Sequence, residues 1–164
     1  MESVQHEPPF DTTQLRRALG AFATGVTDVT TGGPAGVYGV TANSFTSVSL
    51  EPPLVLVCLR RRGPGRSLIA ANDAFAVNIL TAEQEDLGRR FARADRGTSM
   101  FDGVDHRPGR TGSPILAGAA HVECRVAAVQ AAGDHVVVVG HVLALAVDPD
   151  ATPLLFHAGR FLAA

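Results

Sequence analysis

The stretch Thr41-Ala42-Asn43-Ser44-Phe45-Thr46-Ser47-Val48-Ser49 crowds small hydroxyl and amide side chains together just ahead of Pro52-Pro53. Such side chains offer many donors and acceptors with little bulk, which suits the grip of a flat polar heterocycle or a phosphate. The same stretch also reads as a Ser/Thr-rich turn capping its own backbone. A second candidate is His135, which follows Gly133-Asp134. A histidine just past a tight turn can present its ring at a pocket mouth, to stack on a ligand or to donate to it. Taken by itself it reads equally as a hairpin histidine with no task.

Other chemistries lack their motifs. No G-x-G-x-x-G or Walker A loop is present, and Gly63-Pro64-Gly65 has the wrong spacing for either. No serine lies in a G-x-S-x-G elbow. The histidines show no H-E-x-x-H or paired ligand spacing, and Cys58 and Cys124 form no C-x-x-C, so no metal site is expected. No carboxylate pair suggests acid–base work on a glycoside.

The elements that must position these residues are mostly strands. Asp11 and Gln14 form a capping box that predicts a helix to about Leu19, ending at Gly20, with Leu15, Leu19 and Phe22 on one face. Val26 to Thr31 and Val37 to Asn43 read as strands around a Gly32-Gly33-Pro34 turn. The apolar run Leu54 to Leu59 suggests a strand buried on both faces. A short helix is expected near Ser67, a strand over Phe75 to Leu80, and a capped helix from Thr81 to about Ala92. Residues 93–113 read as a long polar loop. His121 to Ala132 and His135 to Val147 read as a long hairpin turning at Gly133-Asp134, and Pro153 to Phe156 as a last short strand. Strand following strand through tight turns points to an antiparallel barrel.

The bulk numbers agree. A chain of 164 residues with 46% hydrophobic and 18% charged residues fits one globular domain over 11–164, behind a loose arm over 1–10. A net charge of -2 leaves no footprint for nucleic acid. All 14 basic residues are arginine, so any anionic group must be held by Arg, hydroxyls or backbone N–H groups. The cysteines sit in apolar runs and read as buried thiols. With no signal-like start and no long apolar span, a soluble cytoplasmic protein is expected.

Several motifs recur in a telling order. They are Ala21-Phe22-Ala23-Thr24-Gly25-Val26-Thr27, then Thr41 to Leu50 followed by Pro52-Pro53-Leu54. Phe75-Ala76-Val77-Asn78-Ile79-Leu80, Phe91-Ala92, Gly112-Ser113-Pro114-Ile115-Leu116, Glu123-Cys124 and Gly133-Asp134-His135 come after them. Across about residues 14–161 the chain thereby resembles the flavin reductase-like family, the small components of two-component flavin monooxygenases. The resemblance implies a mainly β fold, a homodimeric, Greek-key-like antiparallel split β-barrel (the FMN-binding split barrel) with a few short flanking helices. It implies binding of FMN or FAD and use of NADH or NADPH. Reduced flavin then leaves, by diffusion, for a separate monooxygenase.

On the same resemblance, Thr41, Ala42, Asn43 and Ser44 lie against the flavin ring and ribityl chain, and Ser47 and Ser49 near the ribityl or phosphate. Cys58, Leu59 and Arg60 flank the ring or phosphate side, and Phe91, Ala92 and Arg93 close the pocket. Asn78 is a further cofactor contact, with strand-end hydrogen bonding as its plain alternative. Core packing is the alternative for Cys58, and helix anchoring for Phe91. His135 sits by the nicotinamide, helped by Phe161, or less so Phe156, where members commonly have Tyr. Three departures stand out. Asp28 replaces an apolar residue, Val40 replaces a methionine, and the loop through Gly63 and Gly65 lacks the usual Ser or Thr for a phosphate. Glycine-loop amides with Arg62, Arg66 or Ser67 are the expected substitute. Two rivals remain on the same barrel: a flavin binder without turnover, and an oxidoreductase acting on a small organic substrate.

Overall fold

The computed structural model of the chain describes residues 8–93 and 98–163, so most of the arm expected over 1–10 lies outside the described residues. Helix α1 (Thr12–Gly20) starts on the capping box read from the sequence: Asp11 Oδ1 accepts from the Gln14 N–H, and the Gln14 side chain accepts from the Asp11 N–H. Its apolar stripe is uncovered, with Leu15, Leu19 and Phe22 exposed. Strands β1 (Thr24–Gly25), β2 (Thr27–Thr31), β3 (Tyr38–Ala42), β4 (Thr46–Leu50) and β5 (Pro53–Arg60) follow. Next come α2 (Pro64–Asn72), β6 (Ala74–Ile79) and α3 (Glu85–Ala92). Then come β7 (His106–Pro108), β8 (Pro114–Leu116), the long pair β9 (Ala120–Ala132) and β10 (His135–Val147), β11 (Leu154–His157) and β12 (Arg160–Ala163). No helix among the described residues is long and apolar enough to cross a membrane.

The main sheet runs β3-β2-β6-β9-β10-β5-β4, with every neighbouring pair antiparallel. This is the mainly β, antiparallel architecture the sequence predicts. Alternate residues of its strands point to one face. Val55, Val57 and Leu59 of β5, Phe75 and Val77 of β6, and Val136 and Val138 of β10 thus meet Val29 and Cys124 in one buried core. The sheet curls until β3 returns against β5. No ladder joins these two strands. The hydroxyl of Ser44, just past β3, instead donates to the Cys58 carbonyl and accepts from the Cys58 N–H, both at 3.0 Å. The barrel is split along that line.

Three local expectations are corrected. β5 is not buried on both faces: fully buried Val55, Val57 and Leu59 alternate with half-buried Leu54, Leu56 and Cys58. One face meets the core and the other is only partly covered. Helix α2 begins at Pro64 rather than near Ser67, because proline fits the first helical turn, where its missing N–H has no partner to lose. The polar stretch 93–113 is not wholly loop, since its described part contains a 3-10 turn over Thr98–Phe101 and strand β7, which pairs with β8.

Candidate functional site

A cavity of about 530 Å³ opens along the split, in the size range of small-molecule sites. β3 and the turn after it form one wall; the end of β5, the start of α2, Ala92 and His135 form the rest. It brings together Thr41, Ala42, Asn43, Ser44, Cys58, Leu59, Arg60, Gly63, Gly65, Arg66, Ala92 and His135. Tyr38 and Pro64 also line it, though the sequence reading does not single them out. Tyr38 lies two and four residues before Val40 and Ala42, so strand period alone places it on their side.

Other candidates stand outside the lining. Ser47 and Ser49 lie on β4, beyond β5, and Ser67 is exposed on α2. Asn78 is fully buried in hydrogen bonds of its own: its amide donates to Asp28 O at 3.0 Å and Thr30 Oγ1 at 3.1 Å, and its carbonyl accepts from Leu116 N–H at 2.9 Å. Phe91 is buried behind β3, and Arg93 follows α3. Phe161 stacks edge-on with Phe156 at 5.4 Å and lies under the Arg89 guanidinium at 5.0 Å. Phe156 likewise is not part of the lining.

Ser44 lines the cavity, but its hydroxyl is committed to both backbone groups of Cys58. It therefore acts as a strut across the split. Ser44→Ala is expected to lower stability by about 1–3 kcal/mol, because it strips partners from two peptide groups. An unchanged urea midpoint would show that the split is held by other contacts. Thr41 sits on the wall with its Oγ1 2.7 Å from both Asp28 Oδ1 and Gly88 O of α3. Asp28 is fully buried, and burial pushes its carboxyl up to about 7, partly offset by the Thr41 bond. Of the two thiols, Cys58 is half-buried on the cavity wall, whereas Cys124 lies in the core with burial pushing it up to about 12.

Also on the lining, α2 starts on Gly63, which gives no side-chain cap, with Pro64 in the first turn. The first N–H groups of such a helix lack intrahelical partners and favour an anion. A Cβ on Gly65 would come within 2.6 Å of the Tyr38 ring, so the helix start lies close against β3. A second cavity of about 1010 Å³ shares Arg60, Arg62, Arg66 and His135 with the first and adds Arg16 of α1 and Arg61. Five guanidinium groups thus border adjoining space.

Gly133 takes a φ of 60° in the β9–β10 turn, a conformation that suits glycine. The turn sets His135 opposite Arg60. His135 Nδ1 is 2.7 Å from Asp134 Oδ1. That bond, then the charges of His135 and Arg60, hold the Asp134 carboxyl below the usual carboxylate range. The Arg61 N–H donates to Asp134 O at 2.9 Å and ties the arginine loop to the hairpin. The imidazole is therefore oriented through Nδ1, and Nε2 takes no part in that bond. Among the described residues no group of His, Cys, Asp and Glu is placed to hold a metal.

A family model described as "Flavin reductase like domain" matches residues 19–164. The chain is 45% identical to an NADH-dependent FAD reductase of Streptomyces globisporus over 157 residues, 93% of this chain and 86% of that one. It is 40% identical to HsaB, the reductase subunit of a flavin-dependent monooxygenase of Mycobacterium tuberculosis, over 154 residues, 92% of this chain and 81% of that one. Among solved structures, it resembles the Streptomyces globisporus NADH:FAD oxidoreductase SgcE6 in complex with NAD and FAD fragments. That match has a TM-score of 0.88 and 42% identity, and covers 97% of this chain and 96% of that one.

Proposed function

The chain belongs to the flavin reductase-like family, and from that premise we propose that it is an NAD(P)H:flavin oxidoreductase that reduces FMN or FAD and supplies the reduced flavin to a partner monooxygenase. The observation that carries this reading is the cavity along the split, whose lining includes both a histidine and an uncapped helix start. When bound, the nicotinamide and flavin supply the chemistry, a hydride transfer that needs no acid or base from the protein. The protein's part is placement, with reacting atoms held roughly 3–3.5 Å apart.

Thr41, Ala42 and Asn43, facing Cys58 and Leu59, are suited to a planar ring with both polar and apolar surface. The α2 start and Arg60, Arg62 and Arg66 are suited to the phosphate end, which replaces the Ser or Thr missing from the loop. His135, oriented by Asp134, is suited to bonding or stacking on the nicotinamide. A homodimer fits the apolar side chains left outside: Leu19, Phe22, Leu50, Leu145 and Val147 are all exposed. Elution at monomer mass on sizing chromatography would count against it.

The test is NAD(P)H oxidation measured with each nicotinamide and each free flavin. Flavin-dependent consumption is expected; its absence in every combination removes the reading. His135→Ala is expected to raise KM for the nicotinamide about tenfold, the value of one lost hydrogen bond, while flavin affinity stays unchanged. Unaltered kinetics would remove its role.

A further inference from the structure

Asp28 lies directly opposite Thr41 on β3 and Asn78 on β6, and its side chain is completely buried. Thr41 Oγ1 stands 2.7 Å from Asp28 Oδ1 and 2.7 Å from Gly88 O. A hydroxyl has one proton to give, and a peptide carbonyl can only accept. Both short contacts are hydrogen bonds only if Thr41 donates to Gly88 O and Asp28 donates to Thr41. Asp28 must then be a neutral carboxylic acid. Its other oxygen, Oδ2, is buried with no partner, which a neutral acid tolerates far better than a carboxylate does. Burial raises its proton affinity in the same direction.

Ionisation reverses this arrangement. A carboxylate at Asp28 takes the Thr41 proton, and Gly88 O is left facing an oxygen lone pair at the same short distance. Gly88 is buried in α3, and α3 ends at Ala92 on the cavity wall; Thr41 is on that wall too. We propose that Asp28 is a positioning residue for the flavin pocket: as a neutral acid it donates to Thr41, whose hydroxyl holds α3 in place through Gly88. The wall formed by Thr41 and Ala92 is set only while Asp28 keeps its proton. The proposal rests on reading the cavity as the flavin site.

The charged and titratable side chains on the packed elements are Tyr38 on β3, Arg66 on α2, and Glu85, Asp86, Arg89 and Arg90 on α3; β6 and β8 carry none. Glu85 and Arg89 pair on the surface, and Arg90 donates to the carbonyls of Ser99 and Asp102. Burial and Thr41 alone set the proton affinity of Asp28.

The experiment is the Kd of FAD, whose pyrophosphate does not titrate near neutrality, measured by fluorescence from about pH 5.5 to 8.5. For the wild type, Kd is expected to rise on the order of three- to tenfold across neutral pH, the range of one hydrogen bond. Asp28→Asn donates to Thr41 at every pH, so its Kd is expected to stay flat at the wild-type acidic value. Thr41→Val, which breaks the link while leaving the Asp28 carboxyl in place, is expected to bind weakly and without that rise. His135 is present in all three and cancels in the comparison. A flat wild-type profile overturns the proposal, as does the wild-type inflection surviving in either variant. Failure of the wild type to bind FAD at any pH, with no flavin-dependent NAD(P)H oxidation, overturns the flavin reading and the proposal together.

Discussion

Phe91→Ala is expected to destabilise the protein by about 3–5 kcal/mol, the cost of emptying a fully buried aromatic site. Phe91 is completely buried and meets Phe101 edge to face at 5.1 Å, beside Met100 and Leu116. Its ring lies against the backbone of β3: a Cβ on Gly39 would come within 2.4 Å of it. Surrounding backbone therefore has little freedom to collapse into the space left behind. The effect reaches the cavity because Phe91 is followed by Ala92, which lines it. Flavin affinity is expected to fall more than tenfold in the folded fraction, while Phe91→Leu keeps most of both. Chemical denaturation and flavin titration check this. A loss below about 1 kcal/mol would mean that α3 is anchored elsewhere.

The second large effect concerns stability and pH. Asp28 titrates at about 7 in the folded protein against 3.8 for an ordinary aspartate. Between those values the unfolded chain has already released a proton that the folded chain keeps. Stability therefore falls as pH rises through this window, and the loss is complete above the folded value. A gap of roughly 3 units corresponds to about 4 kcal/mol over the whole window, and about 2 kcal/mol of it falls above pH 5.5. Asp28→Asn has no proton to lose. Its stability relative to wild type is expected to grow by about 2 kcal/mol between pH 5.5 and 8. Urea unfolding at the two pH values reads this directly, and a constant difference would show that Asp28 ionises normally in the folded state.

The parts legible in the sequence are those whose signals are local. Asp11 with Gln14 and Thr81 with Gln84 are capping boxes within one turn, and both form. The Gly133-Asp134 turn places β10 at His135–Val147, as read. Thr41 to Ser44 gather at the cavity, yet the commitment of Ser44 depends on Cys58, which no spacing rule links to it. Asp28 shows as an oddity in a strand, but its meaning needs the β2–β3 register and a carbonyl on α3. Asn78 and Phe91 illustrate the converse, where the structural alternative is the one on display. Both belong to motifs around the cavity, and their side chains are used in holding the elements together. The stripe of α1 was legible as amphipathic, but what covers it is not written in a single chain.

β3 is the end strand of the main sheet, paired with β2 on one side only. An end strand leaves a row of alternating peptide N–H and C=O groups that elsewhere recruits another chain. Here that row runs beside a cavity. The pyrimidine edge of a flavin carries acceptor, donor and acceptor in line, the same alphabet as a peptide edge. A flavin bound in that cavity would take the seat of a missing strand, as an added peptide does at an open sheet. Recognition written in main chain would leave Ala42 and Asn43 freer to vary than Thr41, whose hydroxyl is used by Asp28 and Gly88. It would also make the seat vulnerable to mimicry, since any flat molecule with an imide edge speaks that alphabet.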